Sequence, residues 1–356
     1  MMKQVFVFTR TVLFALSVAG VMSLAAPGPV SAENGEVYVY NWSEYMPDSV
    51  LSDFQKETGI KVVYTTYDSN EAMFAKVKLL DGGGYDLVFP STYFVDRMGK
   101  EGLIQPIDKS RIPNLKNLDP TLMDKPYDPG NVYSVPYLWG STAIGYNSAF
   151  VDKEKVKSWN DLWNPAYKNR VLLTNDLREV FGMGLKVLGY SGNDTDPAHI
   201  EAAYEKLRTL LPNVRLFASD SPKLPFLNQE VTIGMIWNGE IYMASRENPQ
   251  IGYIYPKEGA MLWMDSMVIP KNARNVENAH AFIDYLLRPE VAKTISEEIG
   301  YATPNTAALK LMAPEVRNNP IVYPGAETVQ KGEFQVDVGE AILVYQKYWE
   351  KLKAGQ

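Results

Sequence analysis

No cysteine occurs anywhere in the 356 residues, which removes disulfides, thiol nucleophiles, zinc–thiolate sites and a lipidated N-terminal cysteine together. Histidine is nearly as scarce. His199 and His280 are the only two and lie far apart in sequence, which leaves little for His-dependent catalysis or a multi-His metal site. Nor is there a basic excess: Lys plus Arg number 35 against 42 Asp plus Glu, a formal charge of −7, and this argues against a nucleic-acid partner. Several enzyme signatures are missing, among them the Gly-x-Ser-x-Gly elbow, the Gly-x-x-x-x-Gly-Lys-Ser/Thr loop and His-Glu-x-x-His. Beyond residue 32 no apolar run is long enough to span a bilayer.

What remains is the composition of a soluble protein with ample core material, 46% hydrophobic, 12% aromatic and 22% charged. The length suits about two domains at roughly 150 residues each. Residues 1–32 read as an export signal. Lys3 and Arg10 give a positive start, Thr11 to Ala26 are mostly apolar, Pro27-Gly28-Pro29 breaks the run, and Val30-Ser31-Ala32 is a small-residue cleavage site. Cleavage after Ala32 removes two basic and no acidic residues, so 33 basic and 42 acidic residues remain, net −9. The expected destination is the periplasm.

Along the mature chain, strands alternate with helices. Glu36–Tyr40 reads as a strand, and a turn over Asn41–Pro47 leads into a helix with Val50, Leu51 and Phe54 on one face. Gly59 stands where that helix needs a left-handed stop. Strand Ile60–Tyr67, helix Asn70–Leu80, a stop at Gly82-Gly83-Gly84 and strand Tyr85–Phe89 follow. A second block starts near Gly140, with strands over 142–147, 170–174, 214–217 and 232–237 and helices over 179–188 and 197–210. Met267–Pro270 reads as a strand again, followed by helices over 276–287 and 289–298. This alternation predicts an α/β fold with a mainly parallel sheet. Ligands of such sheets sit at the carboxyl ends of strands, which singles out Asn41–Tyr45 and Pro90–Tyr93. There is no repeat, no low-complexity tract and no flexible Gly/Ser linker, so two lobes joined by several short crossings are expected.

Aromatic and acidic side chains concentrate in segments that should be loops. Asn41-Trp42-Ser43-Glu44-Tyr45 follows the first strand, where it could equally staple and cap the next helix. Ile236-Trp237-Asn238-Gly239 ends another strand, where simple packing is the plainer account. In Leu262-Trp263-Met264-Asp265-Ser266, Trp263 and Asp265 point to one side of an extended segment. An unpaired buried carboxylate is costly, so a Trp and an Asp sharing a face suit a pocket that receives a cation. Asp176-Leu-Arg-Glu179 has capping-box spacing at a strand-to-helix junction. The same two acids can face a ligand, and the helix N-terminus should keep them ionised at pH 7. Chance carboxylate pairs make a glycosidase a weak reading, and no adjacent tyrosine pair supports a ferric site. No catalytic residue, metal ligand or cofactor motif is assigned.

The chain resembles the periplasmic polyamine-binding proteins of bacterial ABC importers over essentially its whole mature length. The resemblance runs through Tyr40-Asn-Trp-Ser-Glu-Tyr45, Tyr85-Asp-Leu-Val-Phe-Pro-Ser-Thr-Tyr93, Pro136-Tyr-Leu-Trp-Gly140 and Asp176-Leu-Arg-Glu-Val-Phe181. It continues in Gly234-Met-Ile-Trp-Asn-Gly239, Trp263-Met-Asp-Ser266 and Gly300-Tyr-Ala-Thr-Pro-Asn305. It implies a two-lobed Venus-flytrap fold with the ligand in the interlobe cleft. Lobe one is then 33–140 plus 264–309, and lobe two 141–263 plus 310–356. It further implies that Trp42, Ser43, Glu44 and Tyr45 line one wall with Ser91 and Tyr93 beside them. Asp176, Glu179 and Trp237 would face them, with Trp263 and Asp265 near the crossing, Tyr301 in the first lobe and Gln335 from the tail. Departures from the family pattern are mild: Ser43 replaces a common Thr, Phe94 a common Tyr, and Phe334 a frequent Trp.

The resemblance makes the ligand a small cation, spermidine in preference to putrescine, and the partner an inner-membrane permease. A ligand-binding subunit of a polyamine-sensing system is the alternative with the same pocket. The chemistry is consistent: four acids (Glu44, Asp176, Glu179, Asp265) suffice for three ammonium groups, and aromatic faces can pack on methylenes and attract the charges.

Overall fold

The computed structural model describes residues 35–355; the expected leader and its cleavage point lie outside them. Strand β1 (Glu36–Trp42) buries Val37 and Val39 completely. Helix α1 (Asp48–Thr58) ends at Gly59, whose φ of 73° and N–H bond to the Gln55 carbonyl make the expected left-handed stop. Strand β2 (Lys61–Tyr67) runs parallel to β1, with Glu36 opposite Lys61 and Trp42 opposite Tyr67. Helix α2 (Asn70–Leu79) is capped by the Ser69 side chain, which accepts the Ala72 N–H. Gly82 then turns the chain at φ 69°, where a Cβ would meet the Leu103 carbonyl oxygen at 2.9 Å. Strand β3 is only Leu87–Val88, shorter than the expected 85–89, and pairs parallel with β1. Helix α3 (Thr92–Lys100), which its pattern did not announce, and strand β4 (Ile104–Gln105) follow.

The largest departure from expectation lies in two long strands. β5 spans Ser134–Asn147 and runs straight through Gly140, where a new block was expected to begin. After β6 (Val171–Leu173), helices α4 (Leu177–Val187) and α5 (Pro197–Arg208), β7 (Val214–Phe217), α6 (Lys223–Leu227), β8 (Ile233–Trp237), α7 (Asn238–Glu247) and β9 (Ile251–Ile254), the second long strand appears. This is β10 (Met261–Pro270), expected only from Met267. It pairs antiparallel with β5 from Met261 opposite Thr142 to Val268 opposite Ser134. Pro136 lacks the N–H that a central strand uses, yet it falls beside the register shift between Asp265 and Ser266, where a missing N–H is tolerated. Gly140 is required for packing, because a Cβ there would lie 2.6 Å from the Trp263 ring.

The sheet runs β2-β1-β3-β10-β5-β8-β6-β7, with β4 and β11 (Glu333–Phe334) on β10 and β9 on β5. It is therefore mixed rather than mainly parallel: β2-β1-β3 and β8-β6-β7 are parallel, and the β3-β10-β5-β8 centre is antiparallel. Between the two parallel ends, β5 and β10 run side by side as one paired ribbon. One large apolar cluster gathers Val37, Phe54, Leu87 and Phe89 with Phe282 and Ile283 from α8 (Val276–Leu286) and Ile295 from α9 (Pro289–Ile299). A second gathers Trp159, Phe181, Leu207 and Met235 with Tyr345 from the C-terminal helix Ile342–Lys353.

Candidate ligand site

Between these clusters lies a cleft of about 560 Å³, partly open to solvent. It lies where the parallel-sheet rule puts a ligand, at the carboxyl ends of β1, β6, β7 and β8. The turn after β1 supplies Trp42, Ser43 and Tyr45, the loop after β3 supplies Ser91, and α2 begins with Asn70 at the wall. None of the 41–45 residues caps α1, whose N-cap is Pro47 without a side-chain bond; the turn is free to present its side chains to the cleft. From the opposite half come Asp176, Glu179, Ser219, Ser221, Trp237 and Glu240, while β10 contributes Trp263 and Asp265. Tyr301, just after the left-handed Gly300, and Gln335 close the set.

The aromatic walls are fixed in place. The Trp42 indole N–H donates to the Phe89 carbonyl at 3.0 Å, and that of Trp263 to Thr142 Oγ1 at 3.2 Å. Trp42 meets Trp237 edge-on with ring centres 6.2 Å apart, and Tyr301 stands edge-on to both Trp263 (5.2 Å) and Tyr45 (5.3 Å). Two glycines make this possible: a Cβ on Gly140 would strike Trp263, and one on Gly239 would come within 2.4 Å of the Tyr301 ring.

Polar partners hold two of the acids, Asp265 and Asp176. Asp265 accepts hydrogen bonds from the Tyr45 hydroxyl (2.8 Å) and the Ser91 hydroxyl (2.6 Å). Burial nevertheless pushes its carboxyl up to about 7. Asp176 caps α4, accepting the Glu179 N–H at 3.0 Å, so its capping and cleft-lining positions coincide. Arg178 stands beside it, fully buried, donating to Val336 O and Asn193 Oδ1 with its guanidinium over the Tyr93 ring. Despite that cap and cation, burial raises Asp176, and burial plus the Asp176 charge hold Glu179 well above the usual range. The helix N-terminus was expected to favour the ionised form of both acids, and burial opposes it at each. Desolvation exceeds what one helix end supplies. Among the described residues, Glu179 Oε2 and Gln335 Nε2 are buried with no hydrogen-bond partner, which leaves one unmet acceptor and one unmet donor on side chains that line the cleft.

Eleven of the thirteen expected residues share this cleft. Glu44 and Tyr93 do not line it. Glu44 adopts φ 50° at the turn, which leaves it 42% exposed and bound to Lys223 Nζ at 2.5 Å. Tyr93 sits behind the wall, its hydroxyl accepting from Asn70 Nδ2 at 3.3 Å. Four lining residues were missed: Asn70, Ser219, Ser221 and Glu240. Ser219 and Ser221 follow β7 and Asn70 follows β2, so the carboxyl-end rule applied to every strand finds them. Glu240, one residue past Trp237-Asn238-Gly239, reads in sequence as an ordinary acid in a first helical turn.

A mixed α/β body with a polar and aromatic cleft between two cores is the architecture of a solute receptor that closes around its ligand. The chain belongs to the bacterial extracellular solute-binding protein family, whose model matches residues 49–324; this is a binding family and not an enzyme family. It is 54% identical over 341 residues to the spermidine/putrescine-binding periplasmic proteins of Salmonella typhimurium and Escherichia coli, covering 96% of this chain and 98% of each relative. Among solved structures, a putative spermidine/putrescine ABC transporter protein from Listeria monocytogenes superposes with a TM-score of 0.86 at 40% identity, over 90% of this chain and 99% of that one.

Proposed function

We propose that this periplasmic protein binds polyamines, spermidine in preference to putrescine, in the cleft and delivers them to an inner-membrane ABC permease. The observation that carries the reading is the gathering of four carboxylates, Asp176, Glu179, Glu240 and Asp265, among the cleft's Trp and Tyr faces, each raised chiefly by burial despite Arg178 and Lys223 nearby. Such a site is under-charged on the positive side and gains when ammonium groups enter. The indole and phenol faces between the acids suit a methylene chain, and each face adds about 0.5–2 kcal/mol of cation–π attraction. An importer needs its receptor to carry one cargo into the cleft and release it unchanged, and no nucleophile or acid–base pair is required of these residues.

The lobes of this reading are 33–140 plus 264–309 and 141–263 plus 310–356. The division of apolar side chains into one cluster around Phe54 and Phe282 and another around Phe181 and Tyr345 supports these limits. A thermal-shift screen of amines, sugars, amino acids and metal ions tests the ligand class, because a ligand of the folded state raises the melting temperature by mass action. Spermidine should give the largest shift. A sugar or amino acid outranking it would overturn the assignment.

A further inference from the structure

Lys223 reaches across the cleft mouth. Its ammonium bonds Glu44 from the opposite half at 2.5 Å and lies 3.9 Å from Glu240 Oε2. Lys223 and Glu240 are both buried, with side chains 10% and 6% exposed. Glu240 lines the cleft, whereas Glu44 stands outside it. Glu240 receives only a 3.3 Å bond from the Lys223 backbone N–H. Its near neighbours Glu44 and Asp220 are of like charge, and its carboxyl is raised to about 7 by burial.

Glu44, Glu240 and the nearby Asp220 outnumber the one ammonium here, which leaves room for another positive charge. Glu44 is already matched at direct hydrogen-bonding distance by the chain's own ammonium. We propose that Lys223 discharges Glu44 and thereby makes Glu240 the carboxylate that receives a terminal ammonium of the ligand at this end. The resemblance implied that Glu44 lines one wall of the pocket; here its carboxylate is bound by the chain's own Lys223 ammonium. The proposal rests on the polyamine reading above and names which residues set its specificity.

Spermidine calorimetry on the mature protein at one ionic strength, with four variants, tests it. Glu240→Gln should weaken binding at least tenfold. Glu44→Gln should also weaken it, because the released Lys223 ammonium falls onto Glu240. Glu44→Gln combined with Lys223→Met should return within threefold of the parent, since Glu240 is then free again. Melting curves of the ligand-free variants report folding; should Glu240→Gln not fold, Glu240→Asp, which keeps the charge and withdraws it by one methylene, should also weaken binding. A double variant as weak as Glu44→Gln alone, or a Glu240→Gln within threefold of the parent, overturns the proposal while leaving the polyamine assignment standing. A parent protein that binds no polyamine overturns both.

Discussion

Replacing Asp265 by Asn should make the empty protein more stable and nearly abolish its binding. The carboxyl is raised from 3.8 to about 7 by burial. Between those pH values the folded state holds a proton that the unfolded chain has released, so stability falls as pH rises through this window. Above about pH 7 the full penalty stands. At about 1.4 kcal/mol per tenfold change it amounts to about 4 kcal/mol, an upper figure for a group that solvent can reach when the cleft opens. Asn removes the charge but turns an amide NH2 toward Tyr45 or Ser91, whose hydroxyl must then accept instead of donate. That rearrangement costs about 1 kcal/mol per weakened bond. A net gain of about 1–3 kcal/mol is expected at pH 8, a few degrees in melting temperature, and it should vanish near pH 4. Binding should fall by about 3–5 kcal/mol, the loss that follows when one partner of a buried ion pair is removed. Melting curves at pH 4 and 8, with spermidine calorimetry at pH 8, read both effects. A variant that melts lower than the parent at pH 8, or that loses less than tenfold in affinity, refutes the reasoning.

Burial raises Asp265 and Glu240 to about 7, so ligand binding at pH 7 should release about one proton from this pair, any proton held by Asp176 or Glu179 adding to it, and affinity should climb from pH 6 to 8. Calorimetry in buffers of different ionisation enthalpy measures this, and zero release would contradict it. Spermidine should bind about tenfold to a hundredfold more tightly than putrescine. Three extra methylenes at about 0.8 kcal/mol each bound the gain, and chain ordering reduces it. Glu179→Gln should narrow that ratio, and competition titration showing putrescine equal or tighter would end the claim. Asp176→Asn keeps the acceptor for the Glu179 N–H, so Asp176→Ala should be less stable than Asp176→Asn by about 0.5–2 kcal/mol in the ligand-free protein; equal melting temperatures would remove the cap. Gly140→Ala should push Trp263 from its place, costing about 1–3 kcal/mol of stability, and quench or shift tryptophan fluorescence; an unchanged melting curve would show that the ring has room.

Local chemistry made much of the fold legible. Gly59 stops α1 because only a residue without a Cβ takes φ 73° freely, and such a stop is visible without knowing what the helix packs against. The long strands were not legible, because Pro136 and Gly140 are explained only by a partner strand more than a hundred residues away. In the cleft, Trp263 and Asp265 could be paired from the period of a strand alone. Gln335 had no local signal and came from the family pattern. Lys223 and Glu44 are 179 residues apart, and nothing in either segment announces that one neutralises the other.

The register shift beside Asp265 bears on how firmly this carboxylate is aimed. A paired ladder resists sliding but yields where a residue lacks its opposite number, and here Tyr137 is skipped between Leu138 opposite Asp265 and Pro136 opposite Ser266. The ribbon is thus most compliant at the point that aims this carboxylate. Tyr45 and Ser91, which hold it, lie with Asp265 in the same proposed lobe, so their two bonds steady the carboxylate where the ladder itself is weakest. The ionic grip on the cargo and the mechanical stiffness of the joint then share one residue. Cargo that holds Asp265 more firmly should leave more slowly while entering at an unchanged rate, a separation that stopped-flow measurements of the two rate constants read directly.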